Sequence, residues 1–486
     1  MPDIIKSPVV KFAQQLSTKK GRAQTYPAGA LNTRFLILSA AFIIACGIFA
    51  SLFIGSGPGT VYVILAAIAG SYMALNIGAN DVANNVSPAF GSGALTLVSA
   101  IILAAIFEAA GALIASGNVV STISKSIIDA SMISQTHVFI TVMVSALFAG
   151  AIWLNLATWV GAPVSTTHSI VGAVLGGGIA AVGFGAVHWD VMSKIAASWV
   201  ISPLLGGIIA AVFLTLIEKT IFSKRDMLAA SRRWVPVLLG VMAAAFSMYL
   251  VMKGLKKIIK LDMTTVSMIG GVAFLATSFI TRPFVNRASG KLENHRRGVN
   301  KLFTIPLIFA TALLSFAHGA NDVANAIGPL SAVVSAVSND AIGAKAAIPF
   351  WVMGIGALGI VIGLALFGSK LIRKVGKHLT TLDQSRAYCI CLSAAITVIA
   401  ASTLGLPVSS THIAIGAVFG IGFTREFTMN KKIKYSNDGN SRAPRRLVRR
   451  KELLTIASAW VVTVPSAAVL AALIFNILIL VNGGVS

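Results

Sequence analysis

One polar cluster occurs twice inside apolar stretches of this 486-residue chain. Both copies read GANDVAN, at 78–84 and at 319–325. Burying a carboxylate costs several kcal/mol unless it is paired, so an acid at such a position is a functional candidate. Carboxylate and amide oxygens together form the ligand shell that hard cations prefer, which predicts a cation site. Its candidate ligands are Asp81, Asn84, Asp322 and Asn325.

A second repeated motif places a proline before a run of hydroxyl residues. It reads PVSTTH at 163–168 and PVSSTH at 407–412. This order predicts a capped helix start, whose free N–H groups and positive dipole end suit an oxyanion, although capping alone would explain a single copy. The candidate anion ligands are Ser165, Thr166, Thr167, Ser409, Ser410 and Thr411. The histidines that follow, His168 and His412, are expected to hold local structure.

The composition predicts where these motifs lie. Hydrophobic residues make up 56% of the chain, charged residues only 11%, and the mean hydropathy is +0.86. Apolar runs long enough to cross a bilayer recur along the chain, so we expect a multi-pass protein of the cell (inner) membrane. The net charge of +24 then reflects basic loops at the cytoplasmic surface of the bilayer, and no nucleic-acid partner is expected. The three cysteines lie in apolar segments and predict no disulfide framework.

The order of the motifs predicts two homologous halves. A third match, IAASWVISP at 195–203 and IASAWVVTVP at 456–465, follows the other two in each half. We predict repeats at 60–222 and 302–482, joined by a linker at 223–301 that carries two transmembrane helices. An extra helix at 35–54 and a basic cytoplasmic tail at 1–34 precede them, and a basic loop occupies 425–451.

Counting the crossings predicts the orientation of the halves. Each half contains five predicted crossing units, and the two linker spans make the number of crossings between equivalent points odd. The expected fold is therefore an all-α integral membrane protein with about 12–13 transmembrane segments, in two inverted repeats with re-entrant or broken helices. Gly78 and Gly319 are expected to let their helices unwind. One lysine group falls on the wrong side of this topology: Lys253, Lys256, Lys257 and Lys260.

Other classes of function have weaker support. A third acid inside a predicted span, Glu108, has no clear partner in the other half. An intramembrane hydrolase built from Ser165, His168 and Asp81 is disfavoured, because a nucleophile needs one oriented base whereas the whole constellation is duplicated. A channel stays open as an alternative at this stage. Nucleotide-binding loops and closely spaced Cys/His metal motifs are missing from the sequence.

The paired motifs resemble the signature of the PiT family of inorganic phosphate transporters, and the resemblance covers nearly the whole chain. It implies a secondary carrier, not an enzyme, that moves inorganic phosphate with a coupling cation, Na+ or H+. The resemblance further implies that the protein forms homodimers and needs no cofactor or metal other than the coupling cation. It also includes sulfate carriers and carriers of metal-phosphate complexes, which leaves the substrate open.

The resemblance also implies roles for individual residues. Asn80 and Asn321 join the hydroxyl residues as substrate ligands, while the coupling cation falls to the Asp–Asn clusters. Glu108, in the fragment IFEAAGAL, resembles a family acidic position and is counted with the coupling-cation residues.

Overall fold

The computed structural model describes residues 33–54, 57, 59–160, 164–253, 261–339, 348–378, 382–434 and 450–481. These residues are almost entirely helical, and the sole β-type pairing among them is an isolated bridge between Ile128 and Val187. The helices are α1 (Thr33–Ser51), α2 (Thr60–Asn80), α3 (Val82–Gly91), α4 (Leu97–Ala115), α5 (Gly117–Lys125), α6 (Thr136–Val160), α7 (Thr166–Val182), α8 (Trp189–Ile217), α9 (Met227–Lys253), α10 (Met263–Ser289), α11 (Arg296–Leu302), α12 (Thr304–Asp322), α13 (Ala324–Asn339), α14 (Phe350–Gly363), α15 (Ser369–His378), α16 (Gln384–Thr403), α17 (Ser410–Lys434) and α18 (Arg450–Val481).

The described helices fit a bilayer. Eleven helical segments among them are long and apolar enough to cross a membrane, and α7 is a shorter apolar helix. The two GANDVAN segments, Thr60–Gly91 and Thr304–Asn339, each count as one such span although each consists of two helices. The expected all-α membrane fold with broken helices is therefore confirmed. Short π-helical turns at Glu218–Phe222 and Leu364–Gly368 extend α8 and α14.

Each GANDVAN helix breaks for a single residue at the motif itself. The interruption falls at Asp81 between α2 and α3, and at Val323 between α12 and α13. The backbone of Asp81 stays helical, with φ −87° and ψ −36°, so the chain bends without a long unwound stretch. Pro88 and Pro329 lie inside α3 and α13 and end neither helix.

The expectation that Gly78 and Gly319 unwind their helices is wrong. Both residues are helical, and their hydrogen side chains instead allow a neighbouring backbone to approach. A Cβ on Gly78 would lie 2.0 Å from the carbonyl oxygen of Ile360, and one on Gly319 would lie 2.1 Å from that of Glu108. Glycine is therefore required here by close helix packing.

These contacts occur in matched pairs between the two halves of the sequence. The GANDVAN helix of each half packs against the second span of the other half, through Gly78–Ile360 and Gly319–Glu108. The helices α7 and α17, which begin in the PVS[TS]TH motifs, also pack closely against a helix of the other half. A Cβ on Gly172 in α7 would lie 2.6 Å from the carbonyl oxygen of Val464 in α18, and a Cβ on Gly416 in α17 would lie 2.1 Å from the carbonyl oxygen of Pro203 in α8. The halves are therefore interlocked, and their exact boundaries and inverted orientation stay predictions.

Part of the predicted topology lies outside the described residues. This holds for most of the basic tail, for much of the 425–451 loop, and for Lys256, Lys257 and Lys260. Lys253 is described, and it is buried at the end of α9. Its Nζ donates to the carbonyl oxygen of Ser402 at 3.1 Å, in the last turn of α16. A cation at a helix C-terminus is stabilised by the dipole, so Lys253 acts as a cap there.

Candidate functional site

Each buried aspartate accepts a hydrogen bond from the hydroxyl helix start of its own half. Thr166 Oγ1 donates to Asp81 Oδ2 at 2.7 Å, and Ser410 Oγ donates to Asp322 Oδ2 at 2.9 Å. Thr166 and Ser410 occupy the same position in the two PVS[TS]TH motifs. The structure thus joins the predicted cation residues to the predicted anion residues directly, twice and in the same way.

A second set of hydrogen bonds crosses between the halves. Asn84 Nδ2 donates to Thr411 Oγ1 at 3.0 Å, and Asn325 Nδ2 donates to Thr167 Oγ1 at 3.2 Å. Asn84 and Asn325 are again equivalent, as are Thr411 and Thr167. The Thr411 hydroxyl also lies 3.3 Å from Asp81 Oδ1, which links the two helix starts around one centre.

The helix starts have the geometry that the sequence predicts. Ser165 lies in extended conformation before α7 and accepts from His168 N at 3.2 Å, while Ser409 accepts from His412 N at 3.3 Å before α17. The His168 ring packs on Trp199, with centroids 3.9 Å apart, and on the His412 ring at 4.9 Å. Both histidines therefore help to hold the two helix starts side by side, as expected.

The loop before α17 is fixed by several neighbours. Helix α16 ends on Gly405, whose φ of +72° favours glycine, and Leu406 N donates back to Ala401 O at 3.0 Å. Thr122 Oγ1 donates to Gly405 O at 2.7 Å, and Trp199 Nε1 donates to Pro407 O at 3.1 Å. The N-terminus of α17 is thereby held at a defined place.

Asn321 takes part in the same anchoring. Its Nδ2 donates to Ser402 Oγ at 2.8 Å and to Leu406 O at 3.2 Å, and its Oδ1 accepts from Val408 N at 3.2 Å. These contacts position the loop. Its equivalent Asn80 is half-buried at the end of α2. Substrate binding by Asn80 and Asn321 stays a prediction.

Glu108 lies beside this centre and not among the hydroxyls. Its Oε1 accepts from Asn85 Nδ2 at 2.9 Å, and its Oε2 lies 2.6 Å from His318 Nδ1. The other ring nitrogen, His318 Nε2, lies 3.0 Å from Asp322 Oδ2. A fully buried chain of Asn85, Glu108, His318 and Asp322 therefore runs into the site.

Sequence reasoning missed His318 and Asn85. Both lie next to a GANDVAN copy, and His318 precedes Asp322 by one helical turn, which puts the two on one helix face. That spacing was the available signal. Comparing the two repeats does not reveal this pair, because Ile77 and Ile360 occupy the positions equivalent to His318 and Glu108. The chain of polar groups is therefore present beside Asp322 and has no counterpart at the equivalent positions beside Asp81.

The electrostatic character of the site is acidic. Asp81 and Asp322 are 3% and 1% exposed, and ligand atoms of Asp81, His318 and Asp322 all lie within 4.8 Å of one another. Among the described side chains that make the contacts above, Lys253 is the only lysine or arginine, and it caps the C-terminal end of α16. Two ionised acids held this closely repel each other, and His318 is the basic side chain that lies beside Asp322.

Comparison with known proteins assigns this arrangement to a family. A model of the phosphate transporter family matches residues 77–471, which include both GANDVAN copies and both hydroxyl motifs. The chain belongs to this family. The family resemblance and the expectation that the protein is a transporter and not an enzyme are thus confirmed.

Individual relatives agree with the family assignment. Two that carry the name "Putative phosphate permease" are a Helicobacter pylori protein, 50% identical, and a Pyrococcus horikoshii protein, 36% identical. The first match covers 81% of this chain and 75% of the relative, and the second covers 87% and 98%. A solved structure named "The sodium-dependent phosphate transporter" matches with a TM-score of 0.78 and 34% identity, over 87% of this chain and 100% of the other.

Proposed function

We propose that the protein is a symporter that carries inorganic phosphate together with a coupling cation, Na+ in preference to H+. The family and the fold already give a multi-pass phosphate transporter-family protein. The matched solved protein is named as sodium-dependent, which supports Na+ here. Coupling, the choice of cation and the roles of individual residues are the parts that we propose.

The observation that carries this proposal is the direct bonding between acids and hydroxyls. Asp81–Thr166 and Asp322–Ser410 join a cation-type ligand to an anion-type ligand in each half. A cation held by either carboxylate would therefore lie next to the place where the helix starts and hydroxyls receive the anion. Binding of one charge then favours binding of the other, which is the physical basis of symport.

Charge balance supports cation coupling. A phosphate dianion beside Asp81 and Asp322 would be repelled strongly in a buried site, and the described hydrogen bonds between the carboxylates and the helix starts involve no lysine or arginine. Cations bound by the carboxylates with Asn84 and Asn325 would offset this charge. We assign the phosphate to the hydroxyl residues at the two helix N-termini, which are Ser165, Thr166, Thr167, Ser409, Ser410 and Thr411.

Phosphate fits this site better than sulfate. Asp322 Oδ1 and Asn325 Oδ1 are buried acceptors that find no donor among the described residues. A protonated phosphate oxygen can donate to such a group, whereas sulfate is acceptor-only, and each unsatisfied buried acceptor costs about 1–3 kcal/mol. Metal-phosphate complexes remain the second candidate substrate.

The cross-half bonds suggest how access alternates. Asn84–Thr411 and Asn325–Thr167 join equivalent groups across the two halves, so relative movement of the halves must break or exchange them. Occupied sites would hold the halves together, and release on either side would free them. Glu108 acts on this centre through His318. The homodimer implied by the family resemblance stays a prediction.

Uptake into proteoliposomes tests the proposal. We expect purified protein to accumulate radiolabelled phosphate above the outside concentration when an inward Na+ gradient is imposed. An inward proton gradient alone should drive much less uptake, and a tenfold excess of sulfate should not compete. Equilibration without accumulation under either gradient would instead indicate a channel.

A further inference from the structure

We propose that His318, Asp322 and Asp81 form a binding site for a borderline divalent cation of the Zn2+ class. The site overlaps the proposed coupling-cation site, and only its predicted effect on uptake rests on the proposed function. The binding itself follows from the ligand chemistry of these three side chains.

The three side chains approach a common point. His318 Nε2 and Asp322 Oδ2 lie 3.0 Å apart on one turn of α12. Two ligands at about 2.0–2.1 Å from one zinc ion lie about 3 Å from each other at common ligand angles. An oxygen of Asp81 lies within 4.8 Å of both atoms. One ion can therefore reach all three ligands.

Glu108 fixes the tautomer of His318. Glu108 Oε2 lies 2.6 Å from His318 Nδ1, while Glu108 Oε1 is already engaged by Asn85 Nδ2. An ionised carboxylate can only accept, so Nδ1 carries a proton, and by the same rule Nε2 donates to Asp322 Oδ2, 3.0 Å away, while no metal is bound. A cation that binds Nε2 takes the place of this second proton and leaves the Nδ1–H tautomer as its ligand. A carboxylate that orients a ligating histidine in this way is a recurrent feature of metal sites and increases the basicity of the ligand.

One buried carboxylate oxygen at this place lacks a hydrogen-bond partner. Asp322 Oδ1 accepts no hydrogen bond from the described residues. Asp322 is 1% exposed, so bulk water does not satisfy this atom. A buried carboxylate oxygen without a donor, beside an imidazole nitrogen and a second carboxylate, is suited to a cation.

The nitrogen ligand distinguishes this site from a site for sodium. Na+ prefers oxygen ligands, whereas imidazole suits Zn2+ and its neighbours in the transition series. The equivalent positions around Asp81 offer no such ligand, because Ile77 and Ile360 stand where His318 and Glu108 stand here. We therefore expect one divalent site per chain, on the Asp322 side, and we expect bound zinc to block the coupling cation.

Zinc binding to the purified full-length protein tests the inference. In phosphate-free buffer, isothermal titration should give one tight site per chain. His318→Gln should lower the affinity at least tenfold, and Glu108→Gln should lower it about 10–100-fold because the amide no longer fixes the tautomer. His295→Gln is the matched control: His295 is half exposed beside Glu293, and its replacement should leave binding unchanged.

X-ray absorption at the zinc edge identifies the ligands even if a variant fails to fold. The wild-type spectrum should contain one imidazole among oxygen ligands. Unchanged affinity in His318→Gln, or a zinc shell without imidazole, would overturn the inference. Zinc binding without phosphate uptake would refute the proposed function and support the zinc site. Phosphate uptake without zinc binding would refute the zinc site and support the proposed function.

Discussion

Asp322→Asn will lower sodium-driven phosphate uptake by about a hundredfold or more. The amide keeps the size of the side chain, and its oxygen still accepts from Ser410, so the helix start stays in place. What the substitution removes is the negative charge that pairs with the coupling cation. Removing one partner of a buried charge pair costs about 3–5 kcal/mol, and about 1.4 kcal/mol corresponds to a factor of ten.

The control for this experiment is Asp190→Asn. Asp190 is an exposed acid in an i,i+4 pair with Lys194, and such surface pairs contribute little. Its variant should transport like wild type, measured as the initial rate of phosphate uptake in proteoliposomes with matched protein content. Wild-type rates in Asp322→Asn would show that this carboxylate has no part in coupling.

Gly319→Ala will destabilise the folded transporter and abolish most of its uptake. The new Cβ would lie 2.1 Å from the carbonyl oxygen of Glu108 and 2.8 Å from its carbonyl carbon, so α12 and α4 must move apart. Overpacking of this kind costs about 1–3 kcal/mol, and rigid helix backbones leave little room to relax. The same movement separates Glu108 from His318.

Gly354→Ala is the matched control, because nothing lies within 4 Å of a Cβ at that position in α14. Alanine is the better helix former by up to about 1 kcal/mol, so this variant should be as stable as wild type or slightly more stable. Thermal unfolding of both variants in detergent, followed by size-exclusion chromatography, makes the comparison. Equal melting temperatures for Gly319→Ala and wild type would contradict the close packing.

The sequence predicted the parts of the site that are duplicated. Two copies of GANDVAN and of PVS[TS]TH in the same order are hard to explain by chance, and the structure joins them through Asp81–Thr166 and Asp322–Ser410. Capping by Ser165 and Ser409 followed from local chemistry alone. The membrane fold followed from hydropathy, because each crossing must bury its own backbone polar groups.

The remaining features depend on tertiary neighbours. A glycine that bends a helix and a glycine that admits another helix look alike in sequence, and only the approach of Glu108 to Gly319 tells them apart. His318 and Asn85 were missed because their partner Glu108 lies in a different helix and has no copy. The burial of Lys253 against Ser402 explains one lysine that the topology placed on the wrong side.

An experimental structure with phosphate and Na+ bound tests symport at this site most directly. We predict phosphate within hydrogen-bond distance of hydroxyls from both helix starts, Thr166–Thr167 and Ser410–Thr411. We also predict Na+ on the oxygens of Asp81 and Asp322. Phosphate bound elsewhere, or held by the hydroxyls of one half alone with the two carboxylates far from any cation, would contradict the proposed mechanism.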